Sequence, residues 1–117
     1  MVKFICYPKC TTCLKAKKWL DDNKIDYTLR DIKTDNPSVD ELTQWHDKSR
    51  LPLKKFFNTS GLLYKSMELK TKLPDMNDAQ MIELLATDGM LVKRPLLVTD
   101  DKVFIGFKES EWEEILT

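Results

Sequence analysis

Phe4-Ile5-Cys6-Tyr7-Pro8-Lys9-Cys10-Thr11-Thr12-Cys13-Leu14-Lys15-Ala16 is the stretch on which the fold turns. An apolar strand pattern runs into a Pro-Lys turn and then into a helix that opens on two cysteines three apart. Val2, Phe4 and Cys6 share one strand face and Ile5 takes the other. From Cys10 to about Asn23, the residues Cys13, Ala16, Lys17, Trp19 and Leu20 combine an apolar stripe with a lysine-rich outer face. That is the period of an amphipathic helix. Asp26 to Ile32 reads as a second strand, with Tyr27 and Leu29 alternating against polar neighbours. Strand, helix and strand in so short a span predict a βαβ unit, hence parallel pairing and a right-handed crossover.

The dithiol carries chemistry by virtue of its place. A cysteine at a helix start meets backbone N–H groups and the positive end of the macrodipole, both of which favour a thiolate. A second cysteine one turn inside is placed to attack a mixed disulfide formed on the first. Cys10 is therefore the candidate nucleophile and Cys13 the candidate resolving thiol, with Lys9 adding local positive potential. A structural zinc site asks for four protein ligands, and beyond the pair only Cys6 and His46 remain, without metal-motif spacing. No metal and no cofactor are expected. Cys6 reads as a small apolar residue of the sheet core, its functional alternative being a backup thiol near Cys10. His46 reads as solvated surface.

Beyond the second strand the pattern changes. Thr34 to Pro37 is turn material, and Ser38 with Glu41 forms a capping-box pattern for a helix through Leu42 and Trp45. Leu53 to Phe57 reads as a short helical turn ending in Asn58-Thr59-Ser60-Gly61. Asn77 or Asp78 opens a helix through Ile82, Leu84 and Leu85 that stops near Asp88-Gly89. Pro95 to Thr99 is a strand, Asp100-Asp101 a turn, and Lys102 to Ile105 the returning arm of a hairpin. Glu109 to Leu116 closes the chain as a helix, with Trp112, Ile115 and Leu116 facing inward. The expected fold is α/β: a thioredoxin-like core, βαβ followed by ββα, with a mostly helical insertion at about 34–89 inside a single domain, 1–117.

Composition sets outer bounds. The 117 residues include 42% apolar and 32% charged side chains, with 19 basic balanced by 19 acidic. Zero formal charge gives no general attraction to nucleic acid or to an anionic membrane. The N-terminus lacks the apolar core and cleavage site of a signal peptide, which makes the cytoplasm the expected compartment. There, closely spaced cysteines point to redox or catalytic use rather than to structural disulfides.

Val92-Lys93-Arg94-Pro95-Leu96-Leu97-Val98 is the second informative stretch. Proline is tolerated at the first position of a strand. An arginine beside it offers a fixed cation and a fork of donors suited to an oxyanion or a thiolate. With this segment added, the chain resembles the arsenate reductase family of thioredoxin-fold proteins, on the branch that also holds the Spx- and MgsR-type regulators. The marks are Cys10-Thr11-Thr12-Cys13-Leu14-Lys15-Ala16, Leu53 to Gly61, Asp88 to Pro95, and Gly106-Phe107-Lys108-Glu109.

The resemblance implies Cys10 as nucleophile, Arg94 facing it and Pro95 in a cis peptide bond. Thr11, Thr12 and Pro95 are the candidate substrate-positioning residues. Glutaredoxin-linked arsenate reductases of the family carry serine where this chain has Cys13, and a histidine where it has Tyr7-Pro8. Of their anion-binding arginines, Arg94 matches, and Asn58 takes the place of the one in the middle motif. The expected function is a glutaredoxin-like thiol–disulfide oxidoreductase with arsenate reductase-like activity, acting on a disulfide or oxyanion substrate. Its reductant would be thioredoxin or a low-molecular-weight thiol. The alternative is an Spx/MgsR-like redox-sensing regulator that binds RNA polymerase, with no direct contact to nucleic acid or membrane.

Overall fold

Strand β1 (Lys3–Cys6) sits at the centre of a four-stranded sheet ordered β2-β1-β3-β4. It runs parallel to β2 (Thr28–Asp31) and antiparallel to β3 (Leu96–Val98), which pairs antiparallel with β4 (Val103–Ile105). Helix α1 (Thr11–Asp22) makes the crossover between the two parallel strands, and α6 (Glu109–Leu116) follows β4. This is the thioredoxin-like βαβ and ββα arrangement anticipated from the sequence. The computed structural model describes residues 2–116, with side chains through Glu114. The expectation that Ile115 and Leu116 face inward lies outside those side chains.

The contacts divide the chain into two compact units, Met1–Asp31 with Arg94–Thr117, and Ile32–Lys93. In the first, register explains the core. Phe4 lies opposite Leu97, and Leu97 opposite Phe104, so the three form one row across the sheet. Cys6, Cys13, Ala16, Leu20 and Trp112 complete that buried cluster. Trp112 is its keystone, with ring centroids 4.8 Å from Phe107, 5.8 Å from Trp19 and 6.4 Å from Phe4. Ile5 and Leu96 form the matching row on the opposite face, both fully buried.

β2 is shorter than the Asp26 to Ile32 expected, and the alternation there is only half realised. Tyr27 packs edge-on against Phe4 at 5.5 Å, while Leu29 is 53% exposed. β2 forms one edge of the sheet, and its residues are exposed or half-buried where those of β1 are mostly buried. Tyr27 is held by its hydroxyl, which donates to Asp21 Oδ1 at 2.8 Å, while Lys17 Nζ donates to Asp21 Oδ2 at 3.0 Å.

The second unit is built of short helices. Helix α2 (Val39–Ser49) starts on the predicted capping box, with Ser38 and Glu41 satisfying each other's backbone N–H groups. A 3-10 turn, Leu53–Phe56, falls in the segment read as a helical turn. Two helices not singled out in the sequence follow, α3 (Leu62–Ser66) and α4 (Leu69–Lys72). Helix α5 (Asp78–Thr87) starts at Asn77, which shares a second capping box with Gln80. His46 departs from the solvated reading: it is half-buried, its ring edge-on to Phe56 at 6.2 Å. A helix carrying buried Leu42 and Trp45 turns the neighbouring position partly inward as well.

The unit closes through a Phe57–Val92 bridge, with Lys93 N–H donating to the Phe56 carbonyl at 2.7 Å. Gly89 is required here by space: a β-carbon would fall on the Ile32 carbonyl, a backbone atom that cannot swing aside. Gly89→Ala is expected to destabilise the protein by about 1–3 kcal/mol or more, the range for overpacking a filled interior. Urea unfolding of the two proteins measures it, and an unchanged midpoint would contradict this close approach.

Candidate active site

The site forms where β1 ends and α1 begins. Cys6 is the last residue of β1, Pro8 and Lys9 make the turn, and Cys10 N–H donates back to the Tyr7 carbonyl at 2.9 Å. That bond fixes Cys10 as the N-cap residue of α1, with extended backbone and its carbonyl accepting from Leu14 N–H at 3.0 Å. The Cys10 side chain makes no capping hydrogen bond. Its sulfur is thus left for chemistry beside the N–H groups that a helix start cannot satisfy internally. No acidic residue occupies the first turn to compete for them. Thr11 and Thr12 follow on the exposed side, whereas Cys13 is 1% exposed.

Cys13 has more partners than the spacing alone discloses. Its sulfur accepts from the Tyr7 backbone N–H at 3.4 Å. It also lies within hydrogen-bonding reach of both the Cys10 and the Cys6 thiols. All three thiols are free. Cys13 holds its proton well above the ordinary cysteine range, chiefly because it donates to Cys6, and burial adds to the effect. Cys6 is shifted the other way, since a hydrogen bond from Cys13 supports its thiolate, although burial and Asp31 oppose this. Cys6 is thus the buried core residue expected, and its thiol also lies beside that of Cys13.

Arg94 and Pro95 complete the site. Their peptide bond is cis. Extending the β1–β3 register by one residue sets buried Pro95 opposite Cys6, and Gly106 N–H donates to the Pro95 carbonyl at 2.8 Å. Gly106 has φ 79°, a conformation that favours glycine. The Arg94 guanidinium carbon lies 5.1 Å from the centre of the Tyr7 ring, a cation–π arrangement. Tyr7 is thus the hinge of the site: its ring holds Arg94, its carbonyl holds Cys10, and its N–H holds Cys13. In the sequence Tyr7 stands out only as a departure from the family histidine, because nothing local reveals the arginine that arrives from far along the chain. Arg94 Nε and Nη1 are buried without a hydrogen-bond partner. Two such donors are able to receive an oxygen acceptor brought by a ligand. Among the described residues, no group of three or more His, Cys, Asp or Glu is arranged to hold a metal ion.

This geometry can be set beside that of known proteins. Residues 6–115 match the model of the ArsC family. The chain belongs to the ArsC family. A crystal structure of an ArsC family related protein from Bacteroides fragilis is 57% identical, covers 97% of this chain and 95% of its own, and superposes with TM-score 0.95. A Streptococcus mutans UA159 structure described as "a possible arsenate reductase" is 45% identical, with coverage of 97% and 98% and TM-score 0.89. The Bacillus subtilis (strain 168) protein YusI is 50% identical over 95% of this chain and 94% of its own. Regulatory protein MgsR of the same organism is 29% identical, over 92% of this chain and 84% of its own. The relatives of this ArsC-family chain thus include both reductase-like proteins and regulators.

The paired thiol shifts make a spectroscopic prediction. In Cys10→Ser protein, ultraviolet thiolate absorbance should rise in two steps. One lies below the ordinary cysteine range, and the other well above it. The steps belong to the Cys6–Cys13 pair jointly, with Cys6 the larger contributor to the lower one. Adding Cys6→Ser removes the main cause of the upward shift and should bring the Cys13 step back down. A single ordinary step before the second substitution would refute the contact.

Proposed function

We propose that this ArsC-family chain is a dithiol oxidoreductase that reduces disulfide substrates through Cys10 and Cys13. The observation that carries the reading is the uncapped Cys10 thiol at the start of α1, with the Cys13 sulfur within hydrogen-bonding reach. Cys10 thiolate attacks one sulfur of the substrate, forming a mixed disulfide and expelling the other sulfur as a thiolate. Cys13 then attacks the Cys10 sulfur, its proton passing to the second departing sulfur, and a Cys10–Cys13 disulfide remains. Thioredoxin or a low-molecular-weight thiol in the cytoplasm reverses the sequence and restores both thiols.

Arg94 is the anchor for an anionic part of the substrate. Its two unpartnered donors suit a carboxylate or an oxyanion, and Tyr7 holds the guanidinium in place. Thr11 and Thr12 supply the exposed rim beside Cys10, and Pro95 shapes the wall. The family's arsenate chemistry would need this same arginine, here without the family's second arginine at Asn58. A disulfide needs only the sulfurs and one anchor, so it is the better substrate for this set of residues. No cofactor takes part.

Turnover of a model disulfide and of arsenate by wild type, Cys10→Ser, Cys13→Ser and Arg94→Gln tests the reading. Cys10→Ser should fall to background, and Cys13→Ser should accumulate a mixed disulfide on Cys10. Arg94→Gln should lose about tenfold or more with an anionic disulfide, the value of one charge-assisted hydrogen bond at about 1.5–3 kcal/mol. Unchanged turnover in Cys10→Ser would reject the assignment.

One observation favours a second reading, a redox-sensing regulator. Leu14, in the first turn of α1 directly after Cys13, is 55% exposed, an apolar contact point whose setting would change with the dithiol. The chain is also 26% identical to the global transcriptional regulator Spx of Staphylococcus epidermidis. On this reading oxidation would alter a surface that binds RNA polymerase, without direct contact to nucleic acid. Capture of polymerase subunits by oxidised but not reduced protein would support it, and capture in neither state would exclude it.

A further inference from the structure

The proposed cycle uses two thiols, and the structure places three together. Cys6 is 5% exposed at the end of β1, and Cys13 is 1% exposed in the first turn of α1. Both belong to one core cluster, with Cys10 packed against its margin. The Tyr7 N–H that donates to the Cys13 sulfur is the amide directly after Cys6, so the chain itself ties the two positions together. Cys13 is therefore the middle sulfur, with Cys10 on the outer side and Cys6 on the inner side, each within hydrogen-bonding reach of it.

We propose that Cys6 is a third redox thiol, which takes over the disulfide from Cys10 and moves it into the core as Cys6–Cys13. This rests on the dithiol reading given above. Once Cys10–Cys13 has formed, the Cys6 sulfur attacks the Cys13 sulfur. The Cys6–Cys13 bond forms, the Cys10–Cys13 bond breaks, and the bonding pair leaves on Cys10. The proton carried by Cys6 ends on Cys10 or in solvent. No net oxidation occurs in this step, so no further oxidant is needed.

Two physical features favour the exchange. The reacting sulfurs are already held together, which replaces a bimolecular encounter with an intramolecular one. The departing sulfur is that of Cys10, half-buried at the margin of the cluster, where solvent can receive it. The outcome is a protein that stores the oxidation in a disulfide between two buried residues while its outer nucleophile is released. Reduction follows the same route backwards, as Cys10 re-attacks Cys13 and returns the disulfide to the surface.

The sequence supplies a direct assay. Tryptic cleavage after Lys3, Lys9 and Lys15 puts Cys6 on Phe4–Lys9 and both Cys10 and Cys13 on Cys10–Lys15. Reduced protein is treated with one equivalent of oxidised glutathione, acid-quenched, alkylated under denaturing conditions, digested and analysed by mass spectrometry. The expected main product joins the two peptides through Cys6–Cys13, with the alkyl group on Cys10. Cys6→Ser protein should stop at the disulfide within Cys10–Lys15, and Cys10→Ser protein should form the crosslink at least tenfold more slowly. A wild-type product confined to Cys10–Cys13 would overturn the third thiol and leave the oxidoreductase reading standing. A crosslink that forms equally fast in Cys10→Ser protein would also overturn the relay. Absence of any disulfide in both wild type and Cys6→Ser would remove the dithiol reading, and the relay with it.

Discussion

The backbone of Tyr7 is the constraint on which the site depends. Its carbonyl receives the Cys10 N–H and its own N–H is given to the Cys13 sulfur. These two bonds convert the end of a strand into the start of a helix over three residues. They also fix the distance between two elements whose side chains would otherwise be independent. A strand end, a helix start and a buried sulfur are held by one peptide group on each side of a single residue. Because the Tyr7 ring in turn carries Arg94, the guanidinium is referred to the same point.

Core packing supports this junction from below. Phe4, Leu97 and Phe104 form a continuous row across three strands, and Trp112 covers it from α6. Burial of aromatic side chains of this size contributes several kcal/mol, well beyond the roughly 1 kcal/mol of a neutral hydrogen bond. The packing therefore sets where β1 and α1 lie, and the weaker Tyr7 bonds set how their ends meet. A sulfur hydrogen bond at 3.4 Å is weak alone, yet it persists because the elements around it have no room to separate.

Much of this was legible in the residues. Alternation at Val2, Phe4 and Cys6 and the helical stripe at Cys13, Ala16 and Leu20 are local patterns, and local patterns survive into the fold. The Ser38–Glu41 capping box is of the same kind. Leu29 was not legible, since alternation predicts two faces without saying which of them the rest of the fold covers. His46 depended on Phe56, a residue from another element. The short helices α3 and α4 carry too few turns for periodicity to register. Tyr7 and Cys6 are the instructive cases: both lie beside the motif in sequence, yet their roles come from partners that only the strand-to-helix turn and the incoming Arg94 segment bring near.

The arrangement of sulfurs also bears on why this chain differs from a single-cysteine reductase. With serine at the position of Cys13, an adduct on Cys10 must be resolved by an external thiol, and the site must admit that thiol. On the dithiol reading, Cys13 resolves that adduct internally and the site need not admit an outside thiol. Cys13, however, is buried and holds its proton strongly, which makes it a slow nucleophile unless something accepts that proton. In the proposed cycle the departing sulfur is that acceptor, and the contact with Cys6 is the main reason the proton is held. An ordinary apolar residue at position 6 would fill the same volume in the core and release Cys13 from that hold, so neither the packing nor the resolving step by itself accounts for a cysteine there.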